Sequence, residues 1–358
     1  MNLKALKVTD FTGQNIYVGI DIHFKSWTVS IYSDEFELKT FTQPPEVALL
    51  EKYLKTHYPQ ATFHLAYEAG FSGFWIQRAF SSRGLPCEVV HAADIPGSDK
   101  ERIRKTDQVD SRKIARGLKN RELNAIFIPD EQLESDRMLV RRRLKMVKTL
   151  TMCKNRIKAF LKYKGVVIPE KYAGGSWSKS FFEWLNHVCF TETSSKMAFQ
   201  FILDEAYFLL NQLKQIDNSI KELSVNPLYC DRVKLLRSVP SIGTLTAMIL
   251  LTEIGNINRF KNTDHLCSYC GLIPNCHSSG QTERITGISR RGNSIVKTAL
   301  IECSWMAIRK DPALLLYYKQ LLPRMNGNKA IVKVCRKLLN RIAYVLRCQQ
   351  EYIPGLVA

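Results

Sequence analysis

Ile16-Tyr-Val-Gly-Ile-Asp-Ile22 is the stretch whose reading decides the fold of the amino-terminal part of the chain. It is an apolar run of strand length with a single acid, Asp21, at its end. A second run, Trp27 to Tyr32, follows closely, and Phe36 to Phe41 alternates apolar and polar residues as a half-exposed strand does. Pro44-Pro45 then breaks the chain, and a helix begins at Glu46 with Val47, Leu50 and Leu54 on one face. Thr62 to Tyr67 reads as a fourth strand and Trp75 to Ser81 as a short helix, closed by Gly84 and Pro86. Cys87 to Val90 reads as a fifth strand, and Thr106 caps a helix running to about Leu118. Three strands followed by strand-helix-strand-helix predict a mixed-sheet α/β domain that ends near residue 125.

The middle of the chain changes character. Arg137 to Lys164 holds eleven Lys or Arg and no acid. Met146, Leu150, Cys153, Ile157 and Phe160 alternate spacings of four and three, a heptad stripe. A second stripe runs from Phe199 through Ile202, Ala206, Leu209, Leu213, Ile216 and Ile220 to Leu223. Two such helices pair either with each other in one chain or across a subunit boundary, and the stripes alone leave both open. Between them, residues 165–195 carry Pro169, Gly174-Gly175 and several aromatics, as an irregular insert or small cap would. From about residue 231 the pattern is helical, interrupted by a Ser/Gly/Arg-rich stretch from Ser278 to Asn293, and it ends in a basic amphipathic segment, Lys329 to Cys348.

Over 358 residues, 52 Lys+Arg stand against 33 Asp+Glu, a formal net charge of +19. A hydrophobic content of 45% excludes a disordered polycation, so the excess charge argues for a polyanionic partner, most simply nucleic acid. The longest clean apolar run, around Ala247 to Leu251, is too short to span a membrane, and the start MNLKALKVTD lacks a signal-peptide core. Ten scattered cysteines do not form a disulfide framework and fit a reducing cytosol. Cys267 and Cys270, flanked by His265, Cys276 and His277, have no second paired motif at zinc-finger spacing and read as packing residues.

In so basic a chain, acids at element ends are informative. Asp21 ends the first strand, Glu68 ends the fourth, and Asp107 and Asp110 share one face of the helix that Thr106 caps. If these elements are neighbours, four carboxylates meet at one sheet edge and repel unless hard cations sit among them. A pair of Mg²⁺ ions about 4 Å apart would activate a nucleophile and stabilise the leaving oxygen of a phosphodiester. Each acid also has an ordinary explanation, a helix-dipole or ion-pair role for Asp107 and Asp110 and a turn role for Asp21 and Glu68.

The segments Tyr17-Val-Gly-Ile-Asp21, Tyr67-Glu68-Ala-Gly and Lys105-Thr-Asp107-Gln-Val-Asp110-Ser-Arg112 resemble the DEDD transposases of insertion sequences. That family includes bridge-RNA-guided recombinases and pilin-gene invertases. Downstream, Ser238-Val-Pro240-Ser-Ile-Gly243 resembles the family's helix-hairpin-helix-like turn, with Ser241 where a glycine is common. Cys270-Gly-Leu-Ile-Pro274 followed by Ser279-Gly280 resembles the motif in which Gly-Leu-x-Pro precedes a serine nucleophile. The sequence after Gly280, Gln281-Thr-Glu-Arg-Ile, departs from the Ser/Gly-rich continuation of the family.

The resemblance implies an α/β ribonuclease-H-like (RuvC-like) catalytic domain over 1–125, a coiled-coil or dimerisation region over 126–230, and a helical transposase domain over 231–358. It implies Asp21, Glu68, Asp107 and Asp110 as ligands of Mg²⁺, two ions in number, and Ser279 as the residue attacking DNA. Arg102, Arg104, Lys105, Arg141, Arg142, Arg143, Lys145, Arg284, Arg290, Arg291 and Lys297 are the expected nucleic-acid contacts. The implied partners are donor and target DNA, a structured guide RNA and further copies of the chain as a dimer or tetramer, in the bacterial cytoplasm at the nucleoid, with no membrane. Two rival readings remain open: a hydrolytic, resolvase-like nuclease using the same acids with water, and a non-catalytic architectural protein.

Overall fold

The computed structural model describes residues 10–97, 106–279, 282–289 and 291–355. The chain divides into two compact units, residues 1–128 and 129–358.

The first unit is built on a five-stranded sheet of order β3-β2-β1-β4-β5. Its strands are β1 (Asn15–Ile22), β2 (Trp27–Tyr32), β3 (Glu37–Gln43), β4 (Thr62–Glu68) and β5 (Cys87–Val90). β1, β2 and β3 pair antiparallel, whereas β4 runs parallel to both β1 and β5. The expected mixed α/β sheet is present. Ile16, Val18 and Ile20 alternate along β1 into one core, where they join Leu50 and Leu54 of α1 (Val47–His57) and Ile76 and Phe80 of α2 (Trp75–Ser81). The opposite face is covered by α3 (Asp107–Lys119), whose Ile114 packs with Ala66 and Val90. β2 is buried along its whole length. Its two polar residues on the α3 side are satisfied, with the Ser30 hydroxyl 2.8 Å from the Ser111 and Thr40 hydroxyls and Thr28 facing Thr42.

In the second unit, α4 (Glu131–Tyr163) and α7 (Thr193–Ser224) lie against each other, each about 50 Å long at 1.5 Å per residue. Arg143 pairs with Asp217 and Arg156 with Glu205, so the two run antiparallel. Both heptad stripes face this intramolecular seam: Met146, Leu150, Cys153 and Ile157 are buried with Phe199, Ala206, Leu209, Ile216 and Ile220. Within the chain the two stripes thus pair with each other as a helical hairpin.

The connecting segment holds two short helices, α5 (Glu170–Ala173) and α6 (Lys179–Asn186), around an aromatic cluster of Tyr172, Trp177, Phe181 and Trp184. There follow α8 (Cys230–Ser238), α9 (Thr244–Ile254), α10 (Thr263–Tyr269), α11 (Ser294–Ala307), α12 (Pro312–Leu321) and α13 (Gly327–Cys348). α9 is apolar nearly all round and fully buried from Ala247 to Ile254, the pattern of a central helix.

The stretch expected to interrupt the helical region has regular structure of its own. Pro274–Ser279 and Thr282–Ile288 form an antiparallel hairpin, β6 and β7. The Ser/Gly/Arg-rich stretch has no 3.6-residue apolar stripe, while Thr282, Ile285, Thr286 and Ile288 are β-branched and suit a strand.

Candidate active site

Register explains how the acids of the first unit come together. Gly19 of β1 lies opposite Ala66 of β4, and Ile20 opposite Tyr67. Side chains alternate along a strand, so Asp21, two beyond Gly19, and Glu68, two beyond Ala66, emerge on the α3 face at neighbouring strand ends. The first turn of α3 begins there. The Thr106 hydroxyl accepts a hydrogen bond from the Val109 amide, and Asp107 and Asp110 fall in that turn. What lets the helix sit so low on the sheet is Gly19. A Cβ there would lie 2.1 Å from the Ser111 carbonyl oxygen and 2.4 Å from the Ala115 nitrogen.

The result is a cluster in which Asp21, His23 and Asp107 each offer a ligand atom within 4.8 Å of the others. His23 Nε2 is 3.2 Å from Asp21 Oδ2 and 3.3 Å from Asp107 Oδ1, so one nitrogen holds both carboxylates. Burial pushes the Asp21 carboxyl above its ordinary range; His23 opposes this, while the negative charges of Asp107 and Asp110 add to it. Asp110 stands one turn along, with its carboxylate 3.1 Å from the Lys113 ammonium. Glu68 is exposed at the end of β4. Like charges gathered on a half-buried acid are the condition that a divalent cation relieves, and carboxylate oxygens are the ligands a hard cation takes. The residues present therefore fit such an ion.

His23 was not among the residues singled out from the sequence. Its position two residues beyond Asp21 is a weak signal, because the carboxylate that gives it meaning, Asp107, is 84 residues away.

The second unit carries the proposed serine. Ser279 occupies the last position of β6, opposite Thr282 of β7, and Arg284 lies opposite His277. The base of this hairpin is tightly held. Gly271 (φ +66°) and Gly292 (φ +108°) cross so closely that a Cβ on Gly292 would lie 2.5 Å from the Gly271 nitrogen. The Asn293 amide donates to the Tyr269 carbonyl (2.7 Å), and the Asn293 side chain caps α11. Asn293 Nδ2 also donates to Glu253 Oε2 at 2.7 Å. Glu253, fully buried on α9, receives both Nε and Nη2 of Arg141 at 2.6 and 2.7 Å. Glu253 escaped the sequence reading although a lone acid inside Met248-Ile-Leu-Leu-Thr-Glu-Ile254 is a visible signal.

These contacts revise the basic set. Arg141 is committed to Glu253 and Arg143 to Asp217, so neither guanidinium is unpaired for nucleic acid, whereas Arg142 and Lys145 are exposed. The Lys297 ammonium reaches the Ser289 carbonyl at 3.3 Å and braces the hairpin. Arg291 is exposed, and its amide donates to the Ser289 hydroxyl. Arg102, Arg104, Lys105 and Arg290 lie outside the described residues. Burial raises the thiols of Cys267, Cys270 and Cys335, as expected of packing residues. Ser238 to Gly243 joins α8 to α9 in a short turn, with Ser241 left-handed at φ 72° and its hydroxyl 2.7 Å from the Cys303 carbonyl.

The DEDD transposase family model of the IS110 type matches residues 18–164. That of the IS116/IS110/IS902 transposase family matches residues 233–319. This chain belongs to the IS110-type DEDD transposases. The y4qE protein of Sinorhizobium fredii is 32% identical over 242 residues, which are 68% of this chain and 58% of that protein. The transposase for insertion sequence element IS1111A of Coxiella burnetii is 27% identical over 80% of this chain and 78% of its own. The pilin gene-inverting protein of Moraxella bovis is 30% identical over 40% of this chain and 45% of its own. The transposase is thus a DNA transposase or recombinase by family. Among its described residues, no helix is long and apolar enough to cross a membrane.

Proposed function

We propose that this transposase cuts and exchanges DNA strands in a Mg²⁺-dependent reaction, with Asp21, Glu68, Asp107 and Asp110 as ligands and Ser279 as nucleophile. The observation that carries the reading is the meeting of Asp21 and Asp107 at the end of β1 and the start of α3, with Asp110 in the same helical turn and Glu68 at the end of the neighbouring strand β4. The sheet order β3-β2-β1-β4-β5, with acids at the ends of its two central parallel strands, supports a ribonuclease-H-like, RuvC-like fold for this unit. Divalent cations at these acids would supply charge neutralisation.

The chain's own residues do the rest. Asp21, with Asp107 close by, draws cations to the strand ends. The Gly271–Gly292 crossing and the Asn293–Glu253 contact fix the base from which the serine hairpin projects. In the transfer step the Ser279 oxygen bonds to phosphorus and the DNA P–O bond breaks. The released DNA oxygen takes up a proton in place of the one lost by the serine, and the phosphoserine conserves the bond for rejoining. The formal charge of +19 supports binding of donor and target DNA and of a structured guide RNA. Strand exchange at two duplex sites calls for a homodimer or homotetramer, in the bacterial cytoplasm at the nucleoid.

The experiment is to trap protein–DNA adducts under denaturing conditions with Mg²⁺ present. Wild-type chain is expected to form adducts, and Ser279→Ala and Asp21→Asn are expected to form none. Adducts at wild-type level from Ser279→Ala would remove the serine assignment. Cleavage without any adduct would establish a hydrolytic nuclease. Neither cleavage nor adduct, with binding retained, would establish an architectural protein.

A further inference from the structure

On α4, beyond the pairs that Arg143 and Arg156 make with α7, two lysines one turn apart converge on a single indole. Lys154 Nζ lies 5.2 Å and Lys158 Nζ 5.7 Å from the centre of the Trp177 ring. Trp177 belongs to the connection between α5 and α6, and its edges are packed by Phe181 and Phe182. Among the described residues neither lysine forms an ion pair with a carboxylate, in contrast to Arg141, Arg143 and Arg156 of the same helix. Like charges four residues apart on a helix repel, and here both are also partly withdrawn from water. The strain is visible in Lys154, whose ammonium is held below its ordinary pKa, first by burial and then by the charge of Lys158. Lys162 continues the row at a further helical turn, each step rising about 6 Å along the axis.

A cation-π contact explains why one lysine sits over the indole. It does not explain two ammonium groups, neither paired with a carboxylate among the described residues, at one ring. What completes the arrangement is an external anion that bridges neighbouring ammonium groups and repeats along the helix. We infer that Lys154, Lys158 and Trp177, extended by Lys162, form a binding site for the phosphodiester backbone of a nucleic acid. The site rests on the reading of this chain as a nucleic-acid enzyme and names where on the helical unit the backbone lies. Duplex DNA and single-stranded RNA share this chemistry, and the test separates them.

The test measures binding of the full chain to a labelled duplex DNA and to a labelled single-stranded RNA by fluorescence anisotropy over a range of salt concentrations. Each phosphate contact contributes about 0.9 to the slope of log K against log salt on duplex DNA and about 0.7 on a single strand. The Lys154→Gln/Lys158→Gln variant is expected to bind one polymer with a slope shallower by about 1.8 for duplex DNA or about 1.4 for single-stranded RNA. The polymer that changes is the occupant. The control Lys52→Gln, at an exposed position of α1, is expected to keep the wild-type slope. In wild-type protein the part of the tryptophan emission lost in Trp177→Phe should change when that polymer is added. Unchanged slopes for both polymers, with only a fall in thermal stability, would show that the lysines merely latch the aromatic cap and would overturn the inference. If the wild-type chain bound neither polymer, the nucleic-acid reading of the whole chain would fall with it.

Discussion

The main-chain carbonyl of Ser111 occupies the space that a side chain on Gly19 would need: a Cβ there would come within 2.1 Å of that oxygen. The contact lets α3 rest on the backbone of β1, which in turn brings Asp107 to Asp21. Gly19→Ala must push the helix off the sheet, because backbone atoms on both sides cannot give way. The expected cost is about 3 kcal/mol or more, at or above the upper end of core overpacking, with loss of divalent-cation binding. Urea unfolding of the variant checks the first and Mn²⁺ titration the second.

Asp21 predicts a pH dependence. Its carboxyl is held above the ordinary value of 3.8 by burial and by neighbouring acids. From about that pH upward, the unfolded chain has lost a proton that the folded chain still holds, so folding stability falls as pH rises through the window up to the raised value. Asp21→Asn removes the titration. In chelator, the variant should gain on wild type across that window and stay more stable above it. Adding Mg²⁺ should then raise the melting temperature of wild type alone. Thermal melts at a series of pH values read both effects.

Arg141 and Glu253 form an ion pair in the second unit whose carboxylate is fully buried, with Asn293 on its second oxygen. Removing the cation strands a buried negative charge. Arg141→Met is therefore expected to cost on the order of 3 kcal/mol in denaturant unfolding while leaving the salt slope of nucleic-acid binding unchanged. Arg142→Gln and Lys145→Gln, both at exposed positions, should leave stability within about 0.5 kcal/mol and make that slope shallower.

Ser241 holds a left-handed backbone at φ 72° in the α8–α9 turn and donates its hydroxyl to the Cys303 carbonyl. The two features separate by substitution. Ser241→Ala keeps the backbone cost and loses the hydrogen bond, an expected loss of about 1–2 kcal/mol. Ser241→Gly loses the same bond but relieves the backbone, so it should be about 1 kcal/mol more stable than the alanine variant.

Much of the first unit was legible because its strands are short apolar runs bounded by turn residues. β2, α2 and β5 span the residues expected, and Thr106 caps α3 as its sequence suggests. Convergence of the acids was legible only as a condition on neighbouring elements. The register of Gly19 opposite Ala66 and the close approach at Ser111 satisfy that condition for Asp21 and Asp107. The β6–β7 hairpin was hidden because its β-branched residues are interspersed with Gly, Ser and charged residues and show no regular alternation. The basic helix misled in another way: its own segment contains no acid, but Asp217, Glu205 and Glu253 reach it from helices more than forty residues away in sequence.

Mn²⁺ binding to the intact chain, followed by electron paramagnetic resonance for wild type, Asp21→Asn and Asp107→Asn, bears most directly on the acidic cluster. Wild type should bind the ion, and each substitution should weaken binding by at least about tenfold with the fold retained. Equal affinity in all three proteins, or no binding by wild type, would contradict the assignment of these carboxylates as the seat of the chemistry.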